Sequence, residues 1–384
     1  MMLITLVNDT ARRSKNPGCQ LTSRTFQDLL GGAGTALRPL EWGFGRRLQS
    51  RDRNLWQALG TGRWLEQPVL RALAETEYGP GAVQSCIRTD CVVFQPEGTV
   101  SDDADPLRIL RFLSLPLWCA LHGRVPLVVA NGTFPLFDGA RAELVRLLLD
   151  HADRAVMRDR ISARHWGVAC APDSAVLWRG LPQTADASWL LITTAAESPP
   201  ETDLAIGRAG LDSARRLGLR PLILGKGWER MAPLRPEIDA MGGRILESTL
   251  LDEVDRHVAA CRLHLGGRYH MALLCATKGI PSALIRTNTH KNLWLAEECP
   301  GIRMAADPAA LTATAQALLA CPEDAILADI VRLSDETRSR LSDLPLLRRR
   351  EPVPPPGLSR DLSRRLARPL RRDLWRHRLR TLRP

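Results

Sequence analysis

The sequence lacks any uninterrupted apolar run approaching the roughly 20 residues that cross a bilayer. The opening "MMLITLVNDT" reaches Asn8 and Asp9 too soon to hold the apolar core of a secretory leader. Nine cysteines, at 19, 86, 91, 119, 170, 261, 275, 299 and 321, form no C-x-x-C pair and no Cys/His cluster at zinc spacing. They read as buried thiols in a reducing compartment, so the expected location is cytoplasmic. No carboxylate cluster demands a metal, and no short-period repeat is present. Aromatics make up only 5% of residues, with 10 Trp against 2 Tyr. Together with the excess of Arg over Lys, this looks like a genome bias, and no function follows from it.

What is present is an ordinary globular composition, 45% hydrophobic and 25% charged over 384 residues, enough for two domains. The net charge of +11 invites a nucleic-acid reading, but its location argues otherwise. From Arg348 onward, 13 arginines face only Glu351, Asp361 and Asp373, which leaves the body nearly neutral.

Short apolar, β-branched runs alternate with helical patterns: "LITLV", "CVVF", "VPLVVA", "AVMR" and "SAVLW" in the first half. After a softer segment at 179–187 the alternation resumes with "WLLITT", "RPLILG", "RILE" and "LHLGG". This is the pattern of parallel, doubly wound sheets. We expect an α/β protein of two Rossmann-like domains, residues 1–185 and 186–343. A Pro-rich linker and basic tail over 344–384 should follow.

"LHLGGRYHMALLCATKGIP" fits a strand, a Gly-Gly turn and a helix that Pro281 stops. Arg268 and His270 then sit at a helix N-terminus, where free N–H groups and the dipole favour an anion. An arginine there grips phosphate or carboxylate with two prongs. The plainer use of the same residues, a salt bridge and a filled polar gap, stays open on this evidence.

The stretch "GRYHMALLCATKGIPSALI" resembles the C-terminal signature of the polysaccharide pyruvyl transferase family, and three further segments agree in order and spacing. These are "TDCVVFQPEGTVSDD", "VPLVVANGTFPLFD" and "HADRAVMRDRISARHWGVACAPDSAVLW"; "NTHK" at 288–291 matches a downstream loop of the family. The likeness covers roughly residues 1 to 300. In "SKNPGCQLTSRTF", Cys19 stands where the family often has aspartate, a departure that bears on any acid/base role there.

The resemblance implies a GT-B-like arrangement and transfer of the pyruvyl group of phosphoenolpyruvate onto two sugar hydroxyls, as a ketal. Phosphoenolpyruvate enters as donor substrate and no cofactor is implied. Such a donor needs several fixed cations: Arg268, Arg158, Lys291 and, with them, His290 are the expected donor-binding set. His270 is the expected acid, because histidine titrates nearest the working pH, with His290 in reserve. Glu97 or Asp159 is the expected base. Asn16, Gly18, Asn131, Thr133, Asn288 and Thr289 complete the expected cleft. Carboxylates on turns also serve as helix caps; Asp173 reads as one, and Arg158 and Asp159 fit an ordinary capped strand end equally well.

The expected partner is a saccharide, or a lipid-linked oligosaccharide, as acceptor. The tail places Leu362, Leu366, Leu370 and Leu374 four apart among arginines, with Pro369 kinking any helix. Residues 358–384 could therefore lie on an anionic membrane surface; a solubilising tail is the alternative, and nucleic acid is disfavoured. The rival functions are a nucleotide-sugar glycosyltransferase of the same fold, with Glu297 or Glu298 on a ribose, and a catalytically silent binding protein.

Overall fold

The computed structural model describes residues 1–12, 16–32, 34–43, 52–61, 63–224, 227–286 and 289–344. Within them the chain forms two parallel sheets. The first contains β1 (Met2–Val7), β2 (Thr35–Leu40), β3 (Cys91–Phe94), β4 (Leu127–Gly132), β5 (Arg154–Met157) and β6 (Ala169–Cys170). The second contains β7 (Trp189–Ala195), β8 (Arg220–Leu224), β9 (Arg244–Leu246), β10 (Cys261–Gly267), β11 (Ser282–Leu284) and β12 (Ile302–Met304).

The central strands are continuous apolar runs because helices cover both faces of each sheet. In β3, Val92 and Phe94 join one core while Cys91 and Val93 join the opposite one. In β7, Leu191 and its neighbours Leu190 and Ile192 divide in the same way. This is the expected α/β architecture of two Rossmann-like lobes. One expected strand differs: "SAVLW" winds into a 3₁₀ turn, Ser174–Leu177, because the Asp173 carboxylate accepts from Ala175 N at 2.9 Å and starts it as a cap.

Strand order runs β2-β1-β3-β4-β5-β6 in the first sheet and β12-β11-β10-β7-β8-β9 in the second. The winding therefore reverses between β1 and β3, and again between β7 and β10. A crevice opens beyond the carboxyl ends of strands at such reversals, and ligands of open α/β sheets bind there.

Two helices bind the lobes together. Pro17–Leu30, capped by Asn16 accepting from Gly18 N at 3.0 Å, projects from the first lobe into the second. There Gln20 donates to Thr249 O at 2.8 Å and accepts from Leu251 N at 3.0 Å, and Leu21 enters the core around Leu191 and Tyr269. The helix Glu323–Leu341 makes the return crossing: Ser334 donates to Val176 O at 2.9 Å, and Leu341 packs with Ile4, Leu6 and Phe26. Among the described residues no helix is long and apolar enough to cross a membrane.

Candidate functional site

Each sheet delivers its polar residues just past its strand ends. β3 runs into Glu97, whose backbone adopts φ +51° and pairs with Gly132 of β4. A Cβ on Gly132 would come within 2.5 Å of Glu97 N, so only glycine lets the two turns close on each other. The carboxylate is thereby buried beneath the crevice. Its Oε1 accepts from Ser23 at 3.2 Å, from Gln95 at 2.9 Å and, very closely, from Thr10. Burial outweighs these bonds and pushes Glu97 up to about 7, so it keeps a proton close to neutral pH.

β5 ends at Arg158, which is sealed from solvent. Its Nη1 donates to Asp173 Oδ2 at 2.7 Å and lies 3.1 Å from His270 Nε2, and its guanidinium stacks 4.6 Å from the Tyr269 ring centre. Nε has no partner. Nη2 faces Gly98, where a Cβ would sit 3.0 Å from it and 3.4 Å from Lys291 Nζ. Two cations from different lobes thus flank a space that a glycine keeps open.

Arg268 follows β10 and donates to Thr194 Oγ1 at the end of β7 through Nε at 3.2 Å and Nη2 at 2.8 Å. Burial lowers its pKa. Lys291 opens the helix Lys291–Glu298; burial first, then Arg158 and Arg268, bring its pKa down to about 8. Lys291 is therefore near enough to both arginines for the three positive charges to gather in one place, Arg158 among them already paired with Asp173. The arrangement suits an anion carrying more than one charge.

Two histidines of the second lobe are held by carboxylates of the first. His270, on the helix Tyr269–Ala276, points Nε2 at Asp173 Oδ2, 3.3 Å away. Burial pulls its pKa down against the opposing pull of Asp173. Its Nδ1 lies against Gly18, where a Cβ would be 3.0 Å from it. Against the push of burial, Arg158 and His270 hold Asp173 far below the usual carboxylate range. His290 makes the parallel pair: its Nε2 is 2.9 Å from Asp159 Oδ1 and 2.9 Å from Ser162 Oγ. Asp159 also caps its own helix through Ser162 N at 2.7 Å and accepts from Thr133 Oγ1 at 2.6 Å. Burial pushes Asp159 up, but His290 and these donors keep it below its ordinary range.

The structure thus brings His270, Glu97, Arg268, Arg158, Lys291, His290 and Asp159 to the facing strand ends. Gly18 borders the His270 ring, and Thr133 braces Asp159. Asn131 stands deeper: its amide donates to Thr22, Gln95 and Ser174 and accepts from Ser174 N at 2.8 Å, which knits the first lobe beneath the crevice. Asn16 caps the crossing helix, Thr289 is buried beside His290, and Asn288 lies outside the described residues. Glu298 pairs with Arg160 at 2.7 Å and Arg332 at 3.3 Å at its helix end. Asp173 was legible only as a turn cap, because its other partners, Arg158, His270 and Thr22, are 15, 97 and 151 residues away in sequence.

A family model described as polysaccharide pyruvyl transferase matches residues 43–289. No curated protein matches the sequence. Among solved structures, S. aureus MnaA, solved with UDP, is similar at TM-score 0.54 and 12% identity, over 89% of this chain and 94% of its own. A UDP-GlcNAc 2-epimerase from Neisseria meningitidis bound to UDP-GlcNAc is similar at TM-score 0.50 and 11% identity, over 97% of this chain and 100% of its own. At such identities the likeness is one of fold, the two-lobed GT-B arrangement.

Proposed function

The chain belongs to the polysaccharide pyruvyl transferase family, and from that premise we propose that it moves the pyruvyl group of phosphoenolpyruvate onto two hydroxyls of a saccharide. The product is a cyclic ketal, with release of phosphate. One observation carries the reading: buried Arg158 and Lys291 and the partly buried Arg268 converge where both sheets end, beside a carboxyl group that stays protonated near neutral pH. Phosphoenolpyruvate places a phosphate and a carboxylate on adjacent atoms, and the three cations supply the matching charge.

The titration order supports a division of labour opposite to the one the sequence suggests. Glu97, at about 7, suits the acid that protonates the methylene carbon of the donor. His270, lowered by burial and set beside Arg158, suits the base that takes the proton of an attacking hydroxyl. Nε2 reaches both Arg158 Nη1 at 3.1 Å and Asp173 Oδ2 at 3.3 Å; in the tautomer whose Nε2–H is directed at Asp173, Nδ1 carries the lone pair, and that is the tautomer this role requires. Asp173 orients the ring, and Asp159 acts through His290.

The acceptor is a saccharide under this reading, and a lipid-linked one would suit the basic segment 358–384, which lies outside the described residues. The test is to incubate the protein with phosphoenolpyruvate and a panel of saccharides, following phosphate release and the new ketal methyl signal by NMR. Consumption of a nucleotide sugar in place of phosphoenolpyruvate would establish the glycosyltransferase reading. Consumption of neither would leave a binding protein.

A further inference from the structure

Ketal formation consumes two hydroxyls, and each must lose a proton. The reading above provides one base. Resting on that reading, we infer that His290, oriented by Asp159, is the base for the second hydroxyl.

The geometry fixes the tautomer of His290. Its Nε2 faces Asp159 Oδ1 at 2.9 Å, and a carboxylate held ionised accepts only. Nε2 therefore carries the hydrogen, and Nδ1 carries a lone pair with no partner among the described residues. Ser162 Oγ, 2.9 Å from the same Nε2 and donating to Phe134 O at 3.1 Å, is a second acceptor consistent with that assignment. A base set in place by a carboxylate that is itself anchored is the arrangement by which imidazoles are made ready for proton abstraction. Asp159 is anchored three ways, by Ser162 N, Thr133 Oγ1 and His290. The pair is separate from the Asp173–His270 pair. His290 immediately precedes Lys291 and its partner Asp159 immediately follows Arg158, so both members of the pair are attached to the two cations, Lys291 Nζ and Arg158 Nη2, that border the space over Gly98.

The steps balance as follows. In the first, C3 of phosphoenolpyruvate takes the proton of Glu97, the first sugar oxygen bonds to C2, and His270 takes that hydroxyl's proton. In the second, the bond from C2 to the phosphate oxygen breaks and its electron pair leaves with phosphate. The second sugar oxygen bonds to C2, and His290 takes its proton. Of the two hydroxyl protons, one replaces the proton given to C3 and the other leaves with hydrogenphosphate. Nothing is oxidised or reduced.

This order separates the two histidines in experiment. His290→Gln keeps an amide donor toward Asp159 and removes Nδ1. In deuterated water, with phosphoenolpyruvate and an acceptor active with the wild type, H290Q is expected to slow ketal formation at least 100-fold, on the scale of general-base contributions. It should still bring deuterium into C3, seen either in recovered phosphoenolpyruvate or in a phosphorylated adduct. His270→Gln should lose both signals. If H290Q melts below the assay temperature, His290→Asn is read in the same way. Ketal formation by the folded variant at near the wild-type rate overturns the inference, and so does loss of C3 exchange together with ketal formation. A wild-type protein that never consumes phosphoenolpyruvate instead overturns the parent reading.

Discussion

Arg158 Nη1 lies 2.7 Å from Asp173 Oδ2, with both side chains sealed from solvent, and His270 Nε2 approaches both atoms. A buried pair of this kind is weak evidence of net stability, yet removing one partner strands the other charge. Asp173→Asn is expected to destabilise the fold by about 3 to 5 kcal/mol and to reduce turnover as the His270 ring loses its anchor. Urea unfolding measures the first effect and steady-state kinetics the second. An unchanged unfolding midpoint would show that Arg158 finds another partner.

His270 and Arg268 should fail in different ways. His270→Ala removes the proposed base while leaving Asp173 its bond to Arg158, so turnover should vanish with melting temperature and circular dichroism preserved. Arg268→Ala removes a charged, two-pronged donor. Hydrogen bonds to charged groups are worth about 1.5 to 3 kcal/mol, so KM for phosphoenolpyruvate should rise roughly 10- to 100-fold, with a smaller change in kcat. Normal kinetics in both variants would remove these residues from the site.

Glu97 gives a pH signature that needs no substrate. Its carboxyl titrates at about 7 in the fold against an ordinary 4.5, so the folded state binds the proton more tightly than the unfolded state does. The stability this contributes is complete below about 4.5, declines as pH rises and is gone above about 7. Glu97→Gln carries no such proton. It should abolish turnover and leave stability near wild type at pH 5, while raising stability at pH 8 by up to roughly 3 kcal/mol. Melting curves at the two pH values check this, and a gain equal at both would mean that burial of the charge is not the cause.

Much of this architecture could be read before the structure, and the exceptions have physical causes. Strands buried on both faces, such as "CVVF" and "LVVA", declare themselves as apolar runs. β2 does not, because "TALRPL" is a half-exposed edge strand interrupted by Arg38 and Pro39, and edges tolerate both. β6 and β12 span two and three residues, too short for any periodicity. The site was legible where one motif held the chemistry, as with Arg268 and His270. It was illegible where a side chain's local duty hid a distant one. Asp173 does cap its turn, and nothing in "APDSAVLW" announces an arginine and a histidine arriving from elsewhere.

The basic segment makes its own prediction. With thirteen arginines from Arg348 onward and leucines four apart, the full chain should bind vesicles containing anionic phosphatidylglycerol and ignore neutral phosphatidylcholine. Removing residues 358–384 should end that binding without altering turnover of a soluble acceptor. Retained binding in a flotation assay would place the membrane contact elsewhere or refute it.

Gly18 separates packing from chemistry. It occupies the second turn position after the Asn16 cap of the helix Pro17–Leu30, and its φ is not in the left-handed region, so the backbone itself accepts alanine. By helix propensity alone Gly18→Ala should stabilise by up to about 1 kcal/mol. The added methyl, however, would sit 2.7 Å from His270 Cβ and 3.0 Å from Nδ1, contacts that side chains do not tolerate. The helix is pinned into the second lobe by Gln20 and Leu21, and no rotation of the ring moves His270 Cβ, so the start of the helix Tyr269–Ala276 must shift away and carry the imidazole with it. That shift disturbs the 3.3 Å approach of Nε2 to Asp173 and moves Nδ1 from its working position. The expected variant is folded, with a melting temperature within a few degrees of wild type, and yet slower by 10-fold or more in kcat, on the scale that a misplaced catalytic group costs. Wild-type kcat in Gly18→Ala would mean that the ring's present orientation is not the one the reaction uses.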